Sequence, residues 1–332
     1  MVALLQSPKA QASELTDPEV AELVGNAVAQ AGGLDFVHDG QTVALKPNLL
    51  TFYQDAGETL ASKTASGVNT DWRVVKAVAD LVRVKNPTGK IWVMDGATLT
   101  TPTVFALLGY TLENFGKSVD QLIALEGAAC NDTSTALLEE RTARSGKTYW
   151  LDRRYVSADV VISIPTLATD AWSGVGGAVE SLGIGATPAG QYGSAENQDV
   201  CARTRIDRTT PQAAGGFIRD YYGIRPADFV VMDGLQGLEH GPLPVWDDSG
   251  SYDYASSIKN MRVVLAGKNA VAVDAVASSI MKCLPGNVPY LRALQADGLG
   301  TTELSQITVV GKALSEVAQP FVGKHADICP GR

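Results

Sequence analysis

Asp159-Val160-Val161-Ile162-Ser163-Ile164, closed by Pro165, is the stretch that decides the fold. Four of its six residues are β-branched and aliphatic, and no polar residue alternates with them. That is the pattern of a strand covered on both faces, which is typical of a parallel sheet lying between layers of helices. Short runs of similar character recur at 42–46, 91–94, 121–125, 148–151, 228–232, 262–266 and 306–310. Between them lie helical patterns at 18–31, from Asp71 through Val82, from about Pro102, and at 211–222, 270–283 and 288–297. In the second helix Trp72, Val75, Val78, Ala79 and Val82 share one face, and Thr70 or Asp71 stands where an N-cap belongs. Strand alternating with helix predicts an α/β fold, a mostly parallel sheet flanked by helices. It can form a single domain over 1–332 or two lobes around a central cleft, with an N-terminal lobe of about 1–130 and a C-terminal lobe of about 148–332. Residues 127–147 read as irregular, and 186–210 and 245–257 as surface excursions, the former a possible lid.

The chain has 332 residues, 45% hydrophobic and 19% charged, with net charge −9. An acidic chain without a basic stripe argues against nucleic acid and against anionic membrane surfaces as partners. No apolar run approaches the length of a membrane span. Residues 1–15 lack the basic start and apolar stretch of a signal peptide, so the expected location is the cytoplasm. Cys130, Cys201, Cys283 and Cys329 are far apart, without a Cys-x-x-Cys pair, which gives no local basis for an iron–sulfur loop or a zinc ribbon. Cys130 and Cys201 can pair in an oxidising compartment; the expectation here is buried, unpaired thiols.

In open α/β sheets ligands bind at the carboxyl ends of the strands. Lys46-Pro47-Asn48 stands at such an end, as do Asp95-Gly96, Pro165, Asp233-Gly234 and Gly267-Lys268-Asn269. Lys46 can bind an anion, form a Schiff base or serve as a base; equally it can cap a strand end. Asn48 carries the same ambiguity. Asp95 and Asp233 are candidate oxygen ligands for a divalent cation, or turn starters bonded to their own backbone. Glu239-His240 offers an acid and an imidazole on a loop, a candidate proton-handling pair. Asp170, Glu180, Gly176, Gly177, Arg203 and Arg205 are candidate substrate-binding residues; Arg203, Arg205 and Arg208 form a clamp or a solvated loop. Asp274, inside a helix, is expected to fasten loop amides. Gly116-Lys117-Ser118 and Gly146-Lys147-Thr148 mimic the end of a phosphate loop but lack its first glycine, and Ser173 to Val179 departs from a dinucleotide fingerprint at Val179. A nucleotide is therefore not expected. Asp247 to Gly250 lacks the ligand spacing of a calcium loop.

Taken together, Val43 to Asn48 (VALKPN), Ala158 to Pro165 (ADVVISIP), Val231 to Gly241 (VMDGLQGLEHG) with Pro242, Ala266 to Asp274 (AGKNAVAVD) and the closing Gly298-Leu299-Gly300 resemble the domain of unknown function 362 family. The resemblance spans nearly the whole chain. It implies the α/β fold and, in many members, an additional iron–sulfur segment, for which the cysteine spacing here gives no counterpart. The family usually reads Pro-Lys-Leu-Lys-Thr-His where this chain has Pro165-Thr166-Leu167-Ala168-Thr169-Asp170, and Lys-Asn where it has Glu180-Ser181. A site built on those basic groups would work differently here. The inventory suggests an enzyme acting on a small polar or anionic metabolite by proton transfer or elimination, with or without a divalent cation. The alternatives are a binding or accessory protein that lost the family's basic site, and a redox or metallocofactor enzyme.

Overall fold

A computed structural model describes residues 1–50, 54–55, 58–59, 67–193, 200–243, 245–246 and 252–331. Its centre is a sheet of 11 strands. In chain order these are β1 (Val2–Gln6), β2 (Thr42–Pro47), β3 (Lys90–Asp95), β4 (Gln121–Ala124), β5 (Val160–Ile164), β6 (Thr166–Asp170), β7 (Gly174–Gly176), β8 (Phe229–Leu238), β9 (Ile258–Lys259), β10 (Val263–Gly267) and β11 (Val309–Gly311). Across the sheet they run β11-β1-β10-β8-β5-β2-β3-β4, with β6 and β9 paired to the far end of β8, and β7 paired to β6. Along that main path only β10 runs against the rest: β1 and β8 flank it antiparallel, and every other neighbouring pair is parallel.

Strand periodicity divides the apolar residues between two cores, one on each side of the sheet. Val43 and Leu45 enter one core while Ala44 enters the other; Ala3 stands opposite Val2 and Leu4 in the same way. This is why the strands read as unbroken apolar runs. Helices α1 (Asp17–Gln30) and α2 (Trp72–Lys85) cover the first face through Val20, Val24, Val75 and Val78. The second face is covered by α3 (Ala178–Gly183), α4 (Pro211–Ile224), α5 (Ala270–Ile280) and α6 (Pro289–Ala296), through Leu182, Ile218, Val273 and Leu291. The N-terminal ends are capped locally. Asp71 accepts from Arg73 N at 2.9 Å, Thr210 from Ala213 N at 3.1 Å, and Asn269 from Ala272 N at 2.9 Å.

Several sequence readings change. Val2–Gln6, which carried no strand expectation, lies inside the sheet between β10 and β11. The 148–151 run leaves the main sheet and pairs as Thr148–Asp152 with Leu138–Thr142, so 127–147 is not wholly irregular. The 270–283 helix stops at Ile280, followed by Lys282 at φ 57°. All four cysteines are paired, Cys130 with Cys201 and Cys283 with Cys329, which corrects the expectation of unpaired thiols. Pairing follows from the fold: both pairs join segments remote in sequence, which local spacing does not foretell. The 186–210 excursion contains a helical turn at Ala189–Tyr192, and its residues 194–199 lie outside the described residues. So do 247–251, most of the acidic stretch within 245–257.

Candidate functional site

Lys46 ends β2 with its side chain turned inward. Its Nζ lies 2.8 Å from Asp95 Oδ1, and both residues are 1% exposed. The ammonium also donates to Pro47 O at 2.6 Å and to Ser181 Oγ at 3.4 Å. Asp95 ends the neighbouring β3 and accepts from Gly96 N at 2.6 Å and Leu49 N at 2.8 Å. Burial pushes the lysine pKa down and the carboxyl pKa up, and their mutual attraction opposes both shifts. The pair therefore locks two adjacent strand ends and lies beneath the cavity, lining none of it.

That cavity measures about 420 Å³, within the range of small-molecule sites, and opens at the carboxyl ends of the parallel strands. Asn48 follows β2, Gly96 follows β3 and Asp170 closes β6; Glu180 comes from α3, and Arg208 from the segment entering α4. A smaller hollow of about 50 Å³ adjoins it, with Asn48, Asp170, Glu180 and Pro242 shared between the two. Leu49, Ile184, Ile206 and Ile218 supply apolar wall.

Glu180 stands out among these groups. Its carboxyl makes no hydrogen bond among the described residues, and burial, reinforced by the negative charge of Asp170, raises its pKa to about 8. Lys46 and Arg208 pull the other way. Asp170 is fixed: one oxygen accepts from Trp172 N at 2.9 Å, Ser173 N at 2.6 Å and Ser173 Oγ at 2.8 Å. Its other oxygen has no such partner among the described residues. Arg208 stacks on the Trp172 ring, 4.8 Å from its centroid, and donates Nη2 to Arg203 O at 2.6 Å; its Nε is buried and has no partner. Asn48 positions its amide nitrogen loosely, 3.4 Å from both Val68 O and Thr166 Oγ1.

Other candidates are placed elsewhere. Arg203 touches the cavity, but its guanidinium is engaged with Ala97 O, Cys201 O, Thr187 O and Thr187 Oγ1, so it braces the wall. The disulfide at Cys201 anchors the same wall to Cys130. Arg205 lies outside the cavity, exposed, with one contact to Gln191 O at 3.4 Å. Glu239 pairs with Lys259 at 2.8 Å and accepts from Val322 N at 2.9 Å. His240 has φ 62° and donates its backbone N–H to Val322 O at 2.9 Å; neither Glu239 nor His240 lines the cavity. Asp233 accepts from Asp71 N at 2.8 Å and Leu235 N at 3.0 Å, and burial raises its pKa to about 7. Asp95 is held by Lys46 and Asp233 lies within the influence of the Asp71 charge, and no cluster of three metal-binding side chains exists among the described residues. Gly176 and Gly177 line the small hollow. A Cβ at Gly177 would lie 2.6 Å from Asp274 Oδ1, because Asp274 reaches across to accept from Ala178 N at 2.8 Å and Val179 N at 3.0 Å. Trp172, Ile184, Ile206 and Ile218 are among the cavity residues without an individual sequence signal.

The family model described as Domain of unknown function (DUF362) matches residues 43–279. The chain belongs to this family. The matched span of DUF362 contains Lys46, Asp95, Asp170, Glu180, Arg208 and Asp274. The comparison with curated proteins returned no match. Among solved structures, the lactate racemase apoprotein from Thermoanaerobacterium thermosaccharolyticum aligns at 12% identity with a TM-score of 0.42, over 81% of this chain and 54% of that one. This DUF362 chain thus spans about half the length of that protein. No helix among its described residues is long and apolar enough to cross a membrane.

Proposed function

We propose that this chain is an enzyme that binds a small, partly apolar metabolite in the strand-end cavity and transfers protons through Glu180. The supporting observation is the state of that carboxyl: it faces the cavity, has no hydrogen bond among the described residues, and keeps its proton to about pH 8. A group of that kind donates a proton near neutrality and takes one back with little driving force either way. Asp170 maintains the raised affinity by its charge, and its three N–H and O–H donors hold it in place. Asn48 and Thr98 are polar groups suited to orienting a substrate, while Ile184, Ile206 and Ile218 would hold its apolar portion. The Lys46–Asp95 pair keeps the strand ends in register, and the Lys46 charge partly offsets the rise in the Glu180 pKa. Proton transfer next to a polar group, or elimination, is the class this arrangement fits.

The test begins with a thermal-shift screen of metabolites, since a ligand of the folded state raises the melting temperature. Hits are then incubated with enzyme in deuterated water and followed by NMR. Wild type should wash deuterium into a C–H position, and Glu180→Gln should bind the same compound without exchange. Binding without exchange in either protein would instead identify a binding protein.

A further inference from the structure

Resting on the reading that Glu180 works in this cavity, we infer that its ligand is a zwitterion: an amino acid with an apolar side chain. The cavity has two poles of opposite charge and an apolar wall, and each pole retains unused hydrogen-bonding capacity. At the basic pole Arg208 is held flat on Trp172 and tied through Nη2 to Arg203 O. Its Nε is buried without an acceptor, and its Nη1 has no partner among the described residues. The open Nη1 is placed to donate to a ligand carboxylate, and such a charge-assisted hydrogen bond is stronger than a neutral one. At the acidic pole Asp170 engages one oxygen and leaves the other without a partner, and Glu180 has none for either oxygen among the described residues. The open Asp170 oxygen, with the Glu180 carboxyl bordering the same space, suits an ammonium, which supplies three donors.

Arg208, Asp170 and Glu180 all border the same space of about 420 Å³. A ligand bearing both charged groups on one carbon would meet both poles. Its side chain would then lie against Leu49, Ile184, Ile206 and Ile218. A monoanion would meet Arg208 and face Asp170 unpaired; a monocation would leave the Arg208 edge unfilled. Each half-ligand forfeits one pole, so the zwitterion is preferred to both.

The probes are leucine, methionine and phenylalanine, compared by titration calorimetry with 3-methylbutylamine, which lacks the carboxylate, and 4-methylpentanoate, which lacks the amine. At least one amino acid should bind tenfold or more tightly than either half-analogue. Arg208→Gln should reduce that amino acid to the level of the amine and leave amine binding unchanged. Asp170→Asn should reduce it towards the level of the acid if circular dichroism shows the variant folded, whereas Glu180→Gln, which mimics the protonated carboxyl, should still bind it. Arg208→Lys, which keeps the charge, should restore only part of the binding. The inference is overturned if a half-analogue binds as tightly as the amino acid, if Arg208→Gln and Asp170→Asn leave the ratio unchanged, or if none of the three amino acids binds at millimolar concentration. Should Glu180-dependent deuterium exchange appear with compounds that carry a single charge, the proton-transfer reading stands and the zwitterion falls.

Discussion

A carboxyl that holds its proton to about pH 8 when folded, against an ordinary value of 4.5, makes the native state weaker in alkali. Below pH 4.5 both folded and unfolded chains carry this proton, and there is no penalty. Between 4.5 and 8 the unfolded chain has released it and the folded chain has not, so stability falls as pH rises through the window. Glu180→Gln lacks that dependence. Relative to wild type it should gain roughly 2–4 kcal/mol between pH 4.5 and 8.5, read from urea unfolding. Asp233, raised to about 7 by burial, tilts both proteins alike, whereas Asp274, also raised to about 7, acts on Glu180 and adds a smaller part to the difference. A flat difference would mean that the carboxyl is solvated. The Lys46–Asp95 pair carries a second residue-level expectation. Lys46→Met leaves Asp95 charged and buried and should cost about 3–5 kcal/mol, whereas adding Asp95→Leu should recover much of that loss. If the double variant is no more stable than the single, the ion pair is not the reason for the cost.

The hinge between β7 and α3 shows how an element is held at the site. Asp274 on α5 takes the place of a local cap by accepting the first amides of α3, and it fits only because Gly177 has no side chain. Gly177→Ala should therefore cost roughly 1–3 kcal/mol by overpacking and should weaken ligand binding by displacing Glu180. Unchanged melting and binding would show that the contact is loose. The role of Asp274 was legible in the sequence, as were β2, β3, β5, β8 and β10, because a strand covered on both faces leaves an unbroken apolar run. The run at β1 is short and rich in Ala and Leu without a second β-branched residue, so it carried no such mark. The β6–β7 hairpin is polar and glycine-rich, and its place depends on pairing with the end of β8. Lys46, Asn48, Asp170 and Glu180 converge because they all lie near strand ends. Glu239 and His240 also follow a strand, but residues around Val322 return to occupy them, and such a return has no local signature.

At the level of the whole molecule, two covalent links join distant segments: Cys130–Cys201 spans 71 residues and Cys283–Cys329 spans 46. Disulfides persist in oxidising compartments and are rare in the reducing cytosol, so the pairing runs against the cytoplasmic expectation. Protein purified without reductant and unfolded in guanidinium should titrate with no free thiol, and four thiols would refute the pairing. Replacing Cys130 and Cys201 with Ser should lower stability by about 2–4 kcal/mol, and because Cys201 anchors the wall that carries Arg203, it should also weaken ligand binding. An unchanged affinity in that variant would separate the crosslink from the cavity.

The position of β1 has a consequence for how the chain is made. Residues 2–6 leave the ribosome well before their partners, residues 263–267 and 309–311. At translation rates of about 5–20 residues per second, the opening segment waits roughly 13–50 s for its neighbours to be synthesised. Throughout that interval an apolar ribbon is exposed on the nascent polypeptide, a natural target for holdase chaperones, and the sheet closes only once residues 309–311 have been made.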